Sequence, residues 1–406
     1  MISYNEAIDL IAANAVRAAA RNVSLSDALG QILAEDVVAS LNLPPFRNSA
    51  MDGFAIKRTE VAAGRASEIG ATVAAGDETP TDQASVVRIM TGALVSPAYD
   101  AVIPVEQAEV SGQSVVFERI PAAGANIREA GEDVAQGEAV LNAGESVTPE
   151  KLALLAALGV REVSVITLPD VHVFSTGNEL SDGGNLSEAM IHNSNGPYLL
   201  AAARRAGLVA HDGGIIRDEA HNLVTAIQAI ETPSIIITTG AVSKGEKDFV
   251  PEALKALGAE IVFHRINLRP GKPILFARLP QGHFYFGLPG NPVAAAVGWR
   301  FFVQALVRQL SGLGRERPLL VKLKAPVTKA NSLYQFLKAG FELTPDGLRA
   351  EVLDGQESFK LKPLAQGHGY VALPEAAKTY EAGEAVEAFL YGATSLFAVG
   401  ESDAED

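Results

Sequence analysis

The chain has 406 residues, 48% hydrophobic and 20% charged, the composition of a folded soluble protein long enough for roughly two to four domains. Asp and Glu outnumber Lys and Arg by 48 to 33, a net charge of −15 with no dense basic run, which argues against nucleic acid or an anionic membrane as partner but not against a small anion in a local basic pocket. Cysteine is absent, which excludes disulfides, thiolate catalysis, iron–sulfur clusters and Cys-ligated zinc and fits a cytoplasmic location.

The opening MISYNEAIDLIAANAV carries Asp and Glu and no basic stretch before an apolar run, so no secretory signal is expected. Ile8, Ile11, Ala15 and Ala18 fall at helical spacing and predict a helix over 4–20. A second short helix is predicted over 24–33, with Ser24 as N-cap and Asp27 at the third helical position. Residues 43–47 form a Pro-rich link. From 52 to 146 short Val/Ile runs alternate with Gly, Pro and Asp, which predicts a small β domain. At its start PPFRNSAMDGFA sets polar Asn48, Ser49 and Asp52 among Met51, Phe54 and Ala55. Such groups need partners if buried, or Asp52-Gly53 is a plain Asx-turn. A connecting helix is predicted over 149–159, with Gly159 as its stop.

From 171 to 310 the strand-like runs VHVFST, GGIIR, SIIITT, EIVFHRI, KPILFA and FYFGL alternate with helix-like runs over 197–206, 219–230, 249–257 and 292–310. That rhythm predicts a doubly wound α/β domain, with a parallel sheet, helices on both faces and ligands at the carboxyl ends of the strands. The apolar stretch 293–307 is interrupted by Arg300 and Gln304 and reads as a buried helix, not a membrane span. In STGNEL, Ser175 and Thr176 suit a phosphate or pterin contact and Glu179 a metal ligand or basic carboxylate; a capping turn reads equally well. In TTGAVSKGEKD, Gly240 and Gly245 let backbone N–H groups face an anion, Thr238, Thr239 and Ser243 add hydroxyls, and Lys244 and Lys247 add charge. Asp248 there either holds Mg²⁺ or caps the next helix, and the GxxxxGK[ST] spacing is missing. Arg265, Arg269 and Lys272, around LRPGKP, form an anion site or solvated surface charge. GLPGNP, with Asn291, either cradles a ligand or simply turns the chain, and the seven histidines form no HxxxH or HExxH pair. Over 317–391 strands return without helices as a second small β domain, and an acidic tail, 396–406, follows.

Taken in order, PPFRNSAMDGFA, IMTGA, NIREAGED, STGNEL, IHNSNGPYL, TTGAVSKGEKDF, RPGKP and GLPGNP resemble the molybdopterin molybdenumtransferase family, MoeA, whose animal relative is the gephyrin E-domain. The likeness runs from the N-terminal helix to Leu310, and more loosely to the end. It implies an elongated, dimerising subunit: a linker and dimerisation region (1–47 with 147–169), a small β domain (48–146), an α/β molybdopterin-binding domain (170–314) and a C-terminal β domain (315–395). It also implies a reaction in which adenylylated molybdopterin and molybdate give molybdenum cofactor and AMP, with Mg²⁺ or another divalent cation. On the matching positions the resemblance implies Asp52, Glu179, Asp218 and Asp248 as catalytic carboxylates, the last three as metal ligands. Substrate contacts are assigned to Thr91, Asp133, Ser175, Thr176, Thr239, Gly240, Ser243, Arg265, Arg269, Lys272 and Asn291. Cleaving a phosphoanhydride needs charge neutralised on the bridging phosphates, and molybdate, a dianion, needs N–H, hydroxyl and guanidinium donors. With no cysteine in the chain, the sulfur that binds molybdenum must belong to the substrate. The implied partners are a second copy, the molybdopterin adenylyltransferase and factors of molybdoenzyme maturation.

The sequence departs from the family pattern in four places. Gly240-Ala241 stands for a paired glycine, Arg269 for a lysine, Ala98-Tyr99-Asp100 for Gly-Ala-Asp, and Ser332-Leu333 for Gly-Arg. Arg269 binds as a planar fork where lysine is a point charge. Phe336 and Lys338 remain, so the C-terminal domain is expected to shape substrate access through Lys338 without performing the chemistry. The connecting helix separates the Asp52, Thr91 and Asp133 set from the Glu179, Asp218 and Asp248 set, and the resemblance implies that the two meet across a dimer. The alternatives are a tungstate-handling paralogue or a non-catalytic scaffold of the same fold. The adenylyltransferase resembles 171–310 alone, so the flanking β domains argue against it.

Overall fold

Strict alternation organises the central strands: Val171 and Val173 face one core while Phe174 faces another, and Ile235 and Ile237 flank Ile236 in the same way. The computed structural model describes residues 1–77, 83–184, 186–242, 249–345, 347–374 and 376–392. It gathers them into two units.

One unit comprises Asn22–Leu29 and Leu33–Val165. Its main sheet holds β1 (Gly53–Ile56), β2 (Ser67–Val73), β3 (Val86–Ile89), β4 (Ala101–Pro104), β5 (Ala108–Ser111) and β6 (Ser114–Phe117), in the order β4-β1-β3-β2-β6-β5. Neighbours are antiparallel except β2 and β3. Apolar clusters around Phe54 and Phe117 and around Val87 and Tyr99 bury all four residues of β1. The helix predicted over 24–33 does not form. A strand, Ala20–Ser24, leads into a single 3₁₀ turn, Leu25–Asp27. Ser24 Oγ donates to the Asp27 carboxylate at 2.7 Å and caps no backbone N–H. The connecting helix does form, at Pro149–Ala157, with proline in its first turn.

The other unit comprises Met1–Arg21, Gly30–Ile32 and the described residues from Ile166 onward. Its α/β sheet holds β7 (Val171–Thr176), β8 (Ala210–Ile216), β9 (Ile235–Thr239), β10 (Glu260–His264), β11 (Leu275–Arg278) and β12 (Phe284–Leu288), ordered β8-β7-β9-β12-β11-β10. Strands β8, β7, β9 and β12 are parallel, as the α/β rhythm predicts. Strand β11 runs against the others, antiparallel to β12 on one side and to β10 on the other, a departure from the all-parallel expectation. Only residues 279–283 join β11 to β12, too few for the crossover that a parallel pair needs. Helix Asn195–Arg205 packs on one face, and helices Ala220–Gln228 and Val250–Ala256 pack on the other. The run predicted over 292–310 is continuous but changes winding, from α (Pro292–Gly298) to π (Trp299–Val303) and back to α (Gln304–Leu310). The N-terminal helix is Tyr4–Asn14, closed by a Ser3/Glu6 capping box, and Tyr4 packs among Phe301, Phe302, Tyr334 and Phe336.

The C-terminal strands are β13 (Leu319–Leu323), β14 (Tyr334–Thr344), β15 (Gly347–Val352), β16 (Gly369–Leu373) and β17 (Ala385–Leu390). Strand β14 pairs with β16 through its first half and β15 through its second. With the β15-β13-β17-β16 pairings this closes a small barrel, which removes exposed edges. A short helix, Leu361–Gln366, interrupts what the sequence presents as strands only.

The barrel corrects the expectation for Lys338. Its side chain is 1% exposed, and Nζ donates to the carbonyls of Gly355 at 2.7 Å, Glu357 at 3.2 Å and Lys360 at 3.3 Å. It clamps a loop and does not face incoming substrate. Burial holds its amine below the ordinary lysine value. Among the described residues no helix is long and apolar enough to cross a membrane.

Candidate active-site cleft

Strands β7, β9 and β12 end side by side, and the turns beyond their carboxyl ends enclose a cleft of about 530 Å³. Thr176, Gly177 and Glu179 line it from β7, Asp218 from β8, residues 239–242 from β9, and Pro289, Gly290 and Asn291 from β12. Asn195, opening its helix, and Pro273 complete the wall named here.

Two glycines permit this geometry. Gly177 has φ +149°, and a Cβ there would lie 2.6 Å from Glu179 Oε1, so the bare backbone gives the Glu179 carboxylate its room. A Cβ on Gly240, at φ +95°, would lie 2.7 Å from the Thr176 carbonyl oxygen, while the Gly240 N–H donates to the Leu288 carbonyl at 2.9 Å. Next to it Ala241 is left-handed, at φ +51°, a conformation that costs a non-glycine residue about 1–2 kcal/mol. The alanine that replaces the family's second glycine therefore sits in strained backbone on the cleft wall.

The strand-end hydroxyls are committed to architecture. Ser175 Oγ donates to Asn193 Oδ1 at 3.0 Å, and Thr176 Oγ1 donates to the Thr239 carbonyl at 3.0 Å. Thr238 Oγ1 and Tyr285 OH share a buried hydrogen bond of 2.5 Å. Asn195 Nδ2 donates to the Gly290 carbonyl at 2.8 Å, which ties one helix start to the turn before the next. Asn291 stands at the N-cap position of the helical run that begins at Pro292, with no side-chain cap, so two helix N-termini bring positive potential to the cleft.

Glu179 and Asp218 face this one cleft from neighbouring turns. Asp248 and Ser243 lie outside the described residues, as do Lys244, Gly245 and Lys247. Among the described residues no three His, Cys, Asp or Glu side chains gather in a metal-binding group. Of the basic residues, Arg265 is left-handed at φ +79° beyond β10, Arg269 is exposed on a strand beside Tyr334–Gln335, and Lys272 is exposed next to Pro273. None of the three is on the described wall of the cleft.

In the other unit, Asp52 Oδ1 accepts from the Thr91 N–H at 2.7 Å and from Thr91 Oγ1 at 2.8 Å. These bonds, the backbone one foremost, hold the Asp52 carboxyl below the usual carboxylate range. Asp133 is exposed, with its N–H donating to the Leu43 carbonyl at 2.9 Å. Sequence reasoning passed over Asn195 and Pro273. The available signal for Asn195 was positional: a polar residue opening a helix at the carboxyl end of a parallel sheet.

Three family models match in succession. They are the MoeA N-terminal region (domains I and II) over residues 2–159, a probable molybdopterin binding domain over 172–309, and the MoeA C-terminal region (domain IV) over 321–391. The molybdopterin molybdenumtransferase of Staphylococcus aureus is 35% identical over 405 residues, covering 96% of this chain and 95% of that protein. The chain belongs to the MoeA family. The Staphylococcus epidermidis molybdopterin molybdenumtransferase is 32% identical over 410 residues, with 97% of each chain covered. A crystal structure of the Pyrococcus horikoshii MoeA protein superposes with a TM-score of 0.80 at 26% identity, covering 96% of this chain and 99% of that one. The multidomain fold is thus the MoeA fold, and every residue of the cleft wall falls within the molybdopterin-binding match.

Proposed function

We propose that this chain is a molybdenum-inserting transferase of molybdenum cofactor biosynthesis, which converts adenylylated molybdopterin and molybdate into molybdenum cofactor and AMP. The observation that carries this reading is the convergence of Glu179 and Asp218 with two helix N-termini in one cleft of the molybdopterin-binding region. Two carboxylates are hard oxygen donors that fit Mg²⁺, and the room that Gly177 leaves for the Glu179 carboxylate supports that fit. Glu179 and Asp218 would hold the cation, with Asp248 as a third ligand by sequence, and its charge would offset that building on the phosphates. The helix N-termini and the amides of Asn195 and Asn291 orient the anionic substrate. Arg265, Arg269 and Lys272, on the segment that leads to Pro273, give molybdate a cationic approach. Asp52, Thr91 and Asp133 serve the same reaction in a cytoplasmic homodimer, which receives its substrate from the molybdopterin adenylyltransferase.

The test mixes the purified chain with adenylylated molybdopterin, Mg²⁺ and molybdate and follows AMP. AMP release is expected to need both the cation and molybdate. Full release in excess chelator without molybdate would overturn the reading.

A further inference from the structure

Glu179 and Asp218 lie on turns that leave adjacent parallel strands, β7 and β8. The backbone ladder between these strands ends at Thr176 and Ile216, with one long last rung from the Gly177 N–H to the Ile216 carbonyl at 3.4 Å. Beyond it side chains take over. Arg217 Nη1 donates to the Asn178 carbonyl at 2.9 Å, and Asn178 Oδ1 accepts from the Asp218 N–H at 3.4 Å. Each carboxylate is thus the sequence neighbour of a residue that grips the opposite turn. Both bracing residues are exposed, so burial supplies no reason for the arrangement.

We propose that Arg217 and Asn178 are positioning residues that fix the spacing of Glu179 and Asp218 and thereby set the affinity of the cleft for a divalent cation. The proposal rests on the metal-holding role assigned to these two carboxylates above. Positioning and plain electrostatics predict opposite signs here. Arg217 is a cation beside a cation site, so by charge alone its removal tightens metal binding. As a brace, its removal frees the two turns and weakens metal binding, on the scale of about 10- to 100-fold seen when the supports of metal ligands are lost.

The experiment titrates Mn²⁺ into the full chain without substrate and reads free Mn²⁺ by electron paramagnetic resonance, with thermal unfolding as the check on fold. Arg217→Ala and Asn178→Ala are each expected to weaken Mn²⁺ binding by about 10-fold or more. Arg217→Lys, which keeps a donor and the charge, is expected to restore most of the loss. The double alanine variant is expected to bind Mn²⁺ more weakly than either single one, because each alanine removes a different hydrogen bond between the two turns. Unchanged or tighter Mn²⁺ binding in folded Arg217→Ala overturns the brace. If instead Glu179→Gln and Asp218→Asn leave Mn²⁺ binding untouched, the metal role of the cleft falls, and the brace with it.

Discussion

At the seam of the C-terminal barrel, Arg300 is 3% exposed and gives Nη1 and Nη2 to Glu316 at 2.6 Å each and Nε to the Leu390 carbonyl at 2.8 Å. Nearby, Lys329 is equally buried and reaches the carbonyls of Asn331, Pro374 and Ala376. In the cleft, by contrast, Glu179 stands exposed, and Asp218 converges on the same space from another strand. The barrel uses charge to tie loops together, with every close partner supplied by the chain itself. In the cleft the exposed Glu179 carboxylate is left facing open space, as the proposed function requires. A cation or carboxylate in this fold is therefore read by how far its partners are already provided, and not by its residue type.

The sharpest way to break this contrast is Arg300→Met. It strands the Glu316 carboxylate and is expected to cost about 3–5 kcal/mol in chemical denaturation, the scale for a half-broken buried pair. AMP release per folded molecule should stay at the wild-type level, and adding Glu316→Leu should recover much of the stability. Lost turnover at unchanged stability would place Arg300 with the chemistry. The mirror-image variants are Asp218→Asn and Glu179→Gln. Each is expected to lower AMP release by about 10²- to 10³-fold, the scale for one electrostatic stabiliser. Their unfolding free energies should change by less than about 0.5 kcal/mol.

A smaller effect is expected at Lys338. Replacement by Met leaves three carbonyls short of a donor and is expected to cost about 1–3 kcal/mol. Its pH dependence has a definite sign. Burial lowers the folded-state pKa, so as pH climbs the folded chain gives up this proton before the unfolded chain does. Between the lowered value and the ordinary lysine value the unfolded state holds more protons, and wild type gains stability relative to Lys338→Met. Urea denaturation of both proteins across that alkaline window checks it. A constant difference between them would return Lys338 to solvent.

Much of this was legible in the sequence because it depends on short-range pattern. The strand-like apolar runs VHVFST and SIIITT marked the strands, and the rule that ligands meet strand carboxyl ends pointed to Glu179, while Asp218 came from the family resemblance. The Ser3/Glu6 capping box was equally open to reading and was passed over. What stayed hidden depends on distant pairing. Nothing local marks β14 as the strand that closes a barrel, so Lys338, retained from the family pattern, was expected to shape substrate access. The antiparallel β11 was foreseeable from its short link to β12, but the α/β rhythm of the preceding strands outweighed it. The basic residues Arg265, Arg269 and Lys272 sit close together in sequence, and proximity along the chain did not translate into a shared wall.

Tyr4 lies in the first turn of the first helix, yet one of its ring partners is Phe336, about 330 residues further along the chain. At a synthesis rate of about 5–20 residues per second, roughly 20–60 s separate the emergence of the two rings from the ribosome. Through that interval the apolar stripe of Tyr4, Ile8 and Ile11 waits for one side of its socket. A chain truncated before β14 therefore carries a helix Tyr4–Asn14 that lacks Tyr334 and Phe336 from its seat.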